Sequence, residues 1–291
     1  MWVYHASLYV HRFQTQGEGP LIGMKLKSTY LVKPKTKLKL SHIATGDTGS
    51  FQNEGSAKAA ITEHREKLSR LQEIFYASQQ KALLIVLQGM DTAGKDGTIS
   101  HIFSGINPQG CNVSSFKVPT PFEARHDFLW RVHIQVPPRG MIQIFNRSHY
   151  EDILVPRVHK QISAAKLREH VEDIVEFESM LHDNDVAILK FFLHISREEQ
   201  TRRLQSRIDT PDKRWKLSES DFREREFWPQ YEEAYNYVIP ATSRKHAPWF
   251  IIPSDHKWHR NVAISEILLD AMKSLKLKYP EPSIDTSKIQ L

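Results

Sequence analysis

Apolar positions along the chain fall into two alternating rhythms from about residue 57 onward. Between 57 and 80, Ile61, Leu68, Leu71, Ile74 and Phe75 recur at helical spacing, so this segment predicts an amphipathic helix leading into a first strand. Short apolar runs follow at 82–87, 113–118, 141–145, 186–195 and 249–252. Helical stretches are predicted near 95–106, 121–135, 163–183, 196–208, 218–246 and 258–276, the last two with clear amphipathic spacing. Strands that read as continuous apolar runs are buried on both faces, and regular alternation with helices calls for right-handed crossovers onto a parallel sheet. The pattern predicts an α/β fold, a three-layer α/β/α sandwich around a five-stranded parallel sheet.

The head lacks this regularity. Residues 1–24 mix aromatics with Gly17, Gly19, Pro20 and Gly23 and follow neither period, so they read as an extension outside the core. Residues 25–56 form a basic arm in which Lys25, Lys27, Lys33, Lys35, Lys37 and Lys39 precede Asp47 with no acid among them. Such a run is either a solvated face or a binding arm for a polyanion. The regular domain then occupies 57–291.

Bulk composition narrows the classes without choosing one. A chain of 291 residues, 40% hydrophobic and 25% charged, can bury one sizeable core. No apolar stretch approaches the roughly 18 residues of a membrane span, and the N-terminus lacks the pattern of a secretory signal, so a cytoplasmic protein without a membrane role is expected. The single cysteine, Cys111, offers neither a disulfide nor a thiolate metal site and reads as a small, partly buried residue. A formal charge of +6 fits an anionic partner.

The strongest chemical signal follows the first strand. Gly89, Gly94 and Lys95 stand as G-x-x-x-x-G-K at a strand-to-helix junction, where glycines let the backbone wrap a phosphate chain. Gly89, Ala93, Gly94, Asp96 and Gly97 are the expected backbone cradle, and Lys95 reaches the transferred phosphoryl group. Two departures mark this loop. Asp96 replaces the hydroxyl residue that usually holds Mg²⁺, and a second carboxylate, Asp91, lies inside the loop. A carboxylate among phosphates repels them unless a cation offsets it, so Asp91 is the candidate metal ligand.

The third strand ends in Asn146, Arg147, Ser148, His149, Tyr150, Glu151 and Asp152, at the sheet edge where α/β proteins bind ligands. Asn146 occupies the place of a metal-holding Asp and is a weaker ligand; Glu151 and Asp152 are further candidates. Arg147 can grip phosphate oxygens with two donors, while His149 reads as a structural hydrogen-bonding residue. After the fourth strand, Arg202, Arg203, Arg207, Asp209, Asp212, Lys213, Arg214 and Lys216 suggest a helix ending in a mobile loop. This segment, at about 202–220, is the expected helical lid, closing over phosphates with Arg207, Lys213 and Lys216. Near 122–131, aromatics at helical spacing read as core, leaving Asp127 and Arg131 as candidates for the acceptor nucleotide.

Taken in order, the loop 89–97, Asn107-Pro108-Gln109-Gly110, His126-Asp127-Phe128-Leu129-Trp130-Arg131, the segment 145–151 and Lys213-Arg214-Trp215-Lys216-Leu217-Ser218 resemble the polyphosphate kinase 2 family of polyphosphate:nucleotide phosphotransferases. The likeness runs from about residue 26 to about 277. It implies a P-loop kinase-like fold and Mg²⁺-dependent phosphoryl transfer, with Mn²⁺ as a substitute, between inorganic polyphosphate and a nucleoside mono- or diphosphate. It also implies a homodimer or homotetramer and no nucleic-acid partner. By position, Asp91, Lys95, Arg147 and Arg207 would be catalytic, and Asn146 with Glu151 would contact the nucleotide. That pair resembles the branch accepting both AMP and ADP. Two other readings compete: an ATP-dependent nucleotide kinase of the thymidylate kinase type, against which Asp91 and Asp96 count, and a non-catalytic polyanion-binding protein, against which the intact Gly94-Lys95 counts.

Overall fold

The chain's most apolar run becomes the middle of the sheet. In the computed structural model, which describes residues 28–289, strands β1 (Ala82–Gln88), β2 (Cys111–Ser115), β3 (Ile142–Asn146), β4 (Val186–His194) and β5 (Trp249–Pro253) pair in parallel in the order β2-β3-β1-β4-β5. β1, β4 and β5 are buried at every residue, as continuous apolar runs require. Alternate residues of β1 serve opposite layers. Leu83, Ile85 and Leu87 pack with α1 (Glu54–Ser78), α2 (Lys95–Ile102) and α9 (Lys257–Ser274). Ala82, Leu84 and Val86 face the cluster built by α4 (Glu151–Val158), α5 (Ala164–Asp183) and α8 (Trp228–Thr242). The three layers, the five parallel strands and the strand-to-helix junction at Lys95 are those the sequence predicts. Because β1 and β3 lie side by side with Leu87 opposite Asn146, their carboxyl ends open at one place.

Several elements differ from expectation, each for a local reason. The stretch 121–135 is not one helix but a 3₁₀ turn at Glu123–Arg125 and the short α3 (Trp130–His133). Asp127 Oδ1 accepts the Leu129 N–H at 3.0 Å, a side-chain turn that competes with helical bonding. β2 begins and ends before the predicted 113–118 and is an edge strand, so Val113 is 49% exposed where burial on both faces was expected. The helix expected over 218–246 is split at Phe227 into α7 (Glu219–Glu226) and α8, with Pro229 in the first turn of α8, where its missing N–H costs little. α6 (Arg197–Asp209) is followed not by open loop but by a 3₁₀ turn, Pro211–Lys216. The helix predicted to reach 106 stops at Ile102, and α4 was not predicted at all.

The extension 1–24, with Lys25 and Lys27, lies outside the described residues. The rest of the arm is docked by its backbone and apolar side chains. Leu31 bridges to Phe250 on β5, the Lys35 N–H donates to Pro240 O at 3.0 Å, and the Leu40 N–H donates to Asn236 Oδ1 at 2.8 Å. Lys33, Lys35, Lys37 and Lys39 all remain exposed. Among the described residues, no helix is long and apolar enough to cross a membrane.

Candidate active site

The loop after β1 is shaped by two glycines whose places no other residue can take without strain. Gly89 has φ +152°, and a Cβ there would lie 2.7 Å from Leu193 O on β4. Gly94 has φ +103°, and a Cβ there would overlap Nη1 of Arg260 and lie 3.1 Å from its Cζ. α2 starts immediately afterwards, so the N–H groups of Lys95, Asp96 and Gly97 belong to a helix N-terminus, where partial positive charge favours anions. Lys95 folds back across the loop, donating to Gly89 O at 2.8 Å and Met90 O at 3.3 Å. Its ammonium is pushed down to about 8 by burial and by Arg147, against the pull of Asp91, Glu151 and Asp96. A buried cation held only by carbonyls gains a great deal from an arriving anion.

The end of β3 supplies two donors to the two loop carboxylates. Asn146 Nδ2 donates to Asp96 Oδ1 at 2.6 Å. Arg147, at φ +60°, is 2.5 Å from Asp91 Oδ1 through Nη2 and 3.3 Å from Glu151 Oε2 through Nη1. Burial disfavours its charge, but Glu151 and Asp91 outweigh that and raise its pKa. The backbone beyond Arg147 is anchored in the core. His149 Nε2 lies 3.3 Å from Glu178, and the Tyr150 hydroxyl donates to Glu178 at 2.9 Å. Lys190 completes the network, donating to Glu178, to the Tyr150 hydroxyl at 3.0 Å and to Thr242 O at 2.9 Å.

A cavity of about 210 Å³ opens against this junction. Gly89, Asp91, Arg147 and Glu151 form its polar wall, while Leu154, Val155, Trp228, Tyr231 and Tyr235 form an apolar and aromatic one. From the lid side, Asp221 on α7 feels Asp91: burial, then the charge of Asp91, raises its pKa. Arg207 lies 3.8 Å from Asp221 and donates to Lys216 O at 3.4 Å, and Lys213 and Lys216 are exposed on the 3₁₀ turn.

The structure does not bring Asp127 and Arg131 to this cavity. Arg131 is buried and bidentate to Asp152 at 3.1 and 2.8 Å, with a third bond to Lys117 O at 2.8 Å. Asp127 is exposed and lines a separate groove against α5. Arg203, read from sequence as part of a charged lid, is buried beneath the loop, donating to Thr92 O and Ala93 O at 2.9 Å each. Sequence reasoning missed Arg260, Gln200, Trp228, Tyr231 and Tyr235. The aromatics had a usable signal, their helical spacing in a stretch that also overhangs the loop; Arg260 and Gln200 had none.

Among the described residues, no group of three or more His, Cys, Asp and Glu side chains gathers as a preformed metal cage. A small divalent cation is often held instead by one or two carboxylates and the phosphates of its substrate. The hard oxygens of Asp91, 20% exposed at the loop, fit that mode.

A family model described as polyphosphate kinase 2 matches residues 52–280. The chain belongs to the polyphosphate kinase 2 family. It is therefore a kinase-type transferase acting between polyphosphate and nucleotides. The AMP/ADP-polyphosphate phosphotransferase of Meiothermus ruber is 45% identical over 261 residues, which cover 89% of this chain and 98% of that protein. The ADP-polyphosphate phosphotransferase of Rhodopseudomonas palustris is 44% identical over 228 residues, covering 74% and 79%. The crystal structure of polyphosphate kinase 2 from Arthrobacter aurescens TC1 matches with a TM-score of 0.85 at 38% identity, covering 88% of this chain and 92% of that one. In this polyphosphate kinase 2, the family match includes the loop, the β3 end and the lid segment and begins after most of the basic arm. Enzymes of this kind use a divalent metal.

Proposed function

We propose that this enzyme transfers phosphoryl groups between inorganic polyphosphate and both AMP and ADP, with Mg²⁺ as the working cation and Mn²⁺ as a substitute. One observation carries the reading: buried Lys95 and the Arg147–Asp91 pair converge where the loop meets an aromatic-walled cavity. The helix N-terminus and the cradle from Gly89 to Gly97 would hold a phosphate chain, with Lys95 against the group in transfer. Asp91 would hold the cation, which neutralises charge on the phosphates between which the phosphoryl group passes.

Arg147 now neutralises Asp91. When cation and phosphate enter, each exchanges that partner for a stronger one: Asp91 turns to the metal and Arg147 to phosphate oxygens. Arg207, Lys213 and Lys216 would close from the lid and exclude water. Trp228 and Tyr231 offer ring faces to the acceptor base, with Asn146 and Glu151 at its phosphate end. Asp127 and Arg131 take no part in this arrangement. The family likeness also supports a cytoplasmic homodimer or homotetramer, checked by light scattering on the purified protein.

The test is incubation with polyphosphate, Mg²⁺ and either AMP, ADP or GDP, without ATP, with products separated by chromatography. Formation of ADP from AMP and of ATP from ADP is expected, with loss of both in Lys95→Ala. If no nucleotide gains a phosphate, or if Lys95→Ala works at full rate, the reading is wrong.

A further inference from the structure

Behind the loop lies a cation that the reaction as described does not use. Arg260, on α9, is 1% exposed. Its Nη1 donates to Ala93 O at 3.2 Å, and its Nε and Nη2 donate to Asn261 Oδ1 at 3.2 and 3.0 Å. Among the described residues, no carboxylate lies within ion-pair distance of it. Arg203, its neighbour on the same carbonyl, does have an acid, Glu199, at 2.6 Å. Arg260 is thus a desolvated charge compensated by neutral oxygens alone, an arrangement costly to the folded protein.

Its position explains why the cost is worth bearing. The guanidinium occupies the space beside Gly94 where a Cβ would stand, and its Nη2 is 3.5 Å from the equivalent point at Gly97. It therefore lies under the junction of loop and α2. In a trans peptide the C=O and the following N–H point in opposite directions. With Arg203 and Arg260 both pulling the Ala93 carbonyl outward, the Gly94 N–H is turned toward the inside of the loop.

We infer that Arg260 is a positioning residue for oligophosphate binding, fixing the Ala93–Gly94 peptide and supplying an unneutralised buried positive charge whose counter-ion is the substrate's phosphate chain. This rests on the phosphate-cradling reading of the loop given above. Burial and Arg203 push the Arg260 guanidinium down to about 9, in keeping with a charge that lacks a counter-ion.

Two variants separate charge from structure. Asn261→Asp leaves Arg260 in place and sets a carboxylate against it, whereas Arg260→Gln keeps a donor for Ala93 O and removes the charge. Binding of tripolyphosphate with Mg²⁺ is measured by calorimetry, alongside urea denaturation of the free proteins and separate KM values for polyphosphate and nucleotide. Asn261→Asp is expected to be at least as stable as wild type yet to bind tripolyphosphate about tenfold more weakly, equivalent to ~1.4 kcal/mol. Its KM for polyphosphate should rise in step while the KM for nucleotide holds. Arg260→Gln should weaken binding similarly; if it does not fold, Asn261→Asp alone decides. A folded variant that binds within twofold of wild type overturns the inference. Wild-type protein that fails to bind tripolyphosphate overturns the cradle reading itself, and the inference with it.

Discussion

Replacing Gly94 by alanine should damage the protein far more than the same change three residues later. At Gly94 the new methyl would fall far inside the 3.0 Å that real Cβ atoms keep from their neighbours, and the backbone holds φ at +103°. A side chain at such a φ costs about 1–3 kcal/mol. Arg260 must also withdraw from Ala93 O, and a lost hydrogen bond to a charged group adds about 1.5–3 kcal/mol. Together these give about 2.5–6 kcal/mol of destabilisation, a large share of the ~5–15 kcal/mol that holds a typical domain folded. At Gly97, in contrast, the methyl meets Arg260 Nη2 at 3.5 Å, ordinary contact, and the position lies within α2, where alanine gains about 0.5–1 kcal/mol over glycine. Urea denaturation of both variants, with tripolyphosphate-induced melting shifts as a second readout, compares them directly. Gly94→Ala should lose several kcal/mol and its melting shift, and Gly97→Ala should be neutral or slightly stabilised. Equal stabilities within about 0.5 kcal/mol would refute the packing of Arg260 against the loop.

Asp91→Asn should lower kcat about 100-fold at saturating Mg²⁺ while changing stability by no more than ~1 kcal/mol, because its pair with Arg147 is part-exposed; activity within threefold of wild type would remove Asp91 from the metal role. Asn146→Asp sets two carboxylates at the 2.6 Å separation now bridged by a donor, and should cut kcat/KM at least about tenfold, with Asp96→Ser in the same chain recovering most of the loss; a double variant no better than the single would show the two positions to be independent. Trp228→Ala should raise the KM for AMP and ADP about tenfold, as the loss of one stacking platform does, and leave the KM for polyphosphate unchanged; the reverse pattern would exclude the cavity as the acceptor site. Burial lowers the pKa of His64, His170, His182, His194, His246 and His259. Below about pH 6.5 the unfolded chain therefore binds protons that the folded one refuses, and the urea midpoint should fall as pH drops from 7.5 to 5.5; a midpoint that holds or rises contradicts this.

What could be read from the chain depended on how local its cause was. The loop from Gly89 to Gly97 is one continuous segment whose glycines, lysine and flanking strand act together, so nine residues suffice to specify it. The central strands were equally plain, since burial on both faces leaves no polar alternation to misread. Arg260 lies 167 residues from the carbonyl it holds, on a helix whose buried face gives no hint of the loop above it. Asp127 and Arg131 lie away from the cavity for a different reason: a charge among aromatics serves a turn or a buried pair as readily as a ligand, and here Asp127 caps Leu129 and Arg131 grips Asp152. Lys190 is a charge inside an apolar strand, and only the fold shows that Glu178 and Tyr150 receive it, thereby fixing the backbone just beyond Arg147.

Two departures that look separate in sequence are a single exchange in space. In the usual P-loop arrangement the loop offers a hydroxyl and the strand end an acid, and both hold the metal. Here the loop carries the acids, Asp91 and Asp96, and the end of β3 carries the donors, Arg147 and Asn146, Arg147 bonded to Asp91 and Asn146 to Asp96. Asp96 is also in the first turn of α2, where the helix dipole favours a negative charge, so moving that charge from strand to loop is stabilised locally. The exchange has a thermodynamic consequence. If Asp91 holds the cation and Arg147 the phosphate, as proposed, Asp91 can turn fully to the metal only when Arg147 leaves it, and Arg147 leaves at least cost when a phosphate oxygen is ready to receive it. Cation and polyphosphate must then bind with positive coupling, and by linkage each tightens the other by the same factor. A hydroxyl-and-acid site has no ion pair to break and therefore no such reason for the two ligands to depend on one another.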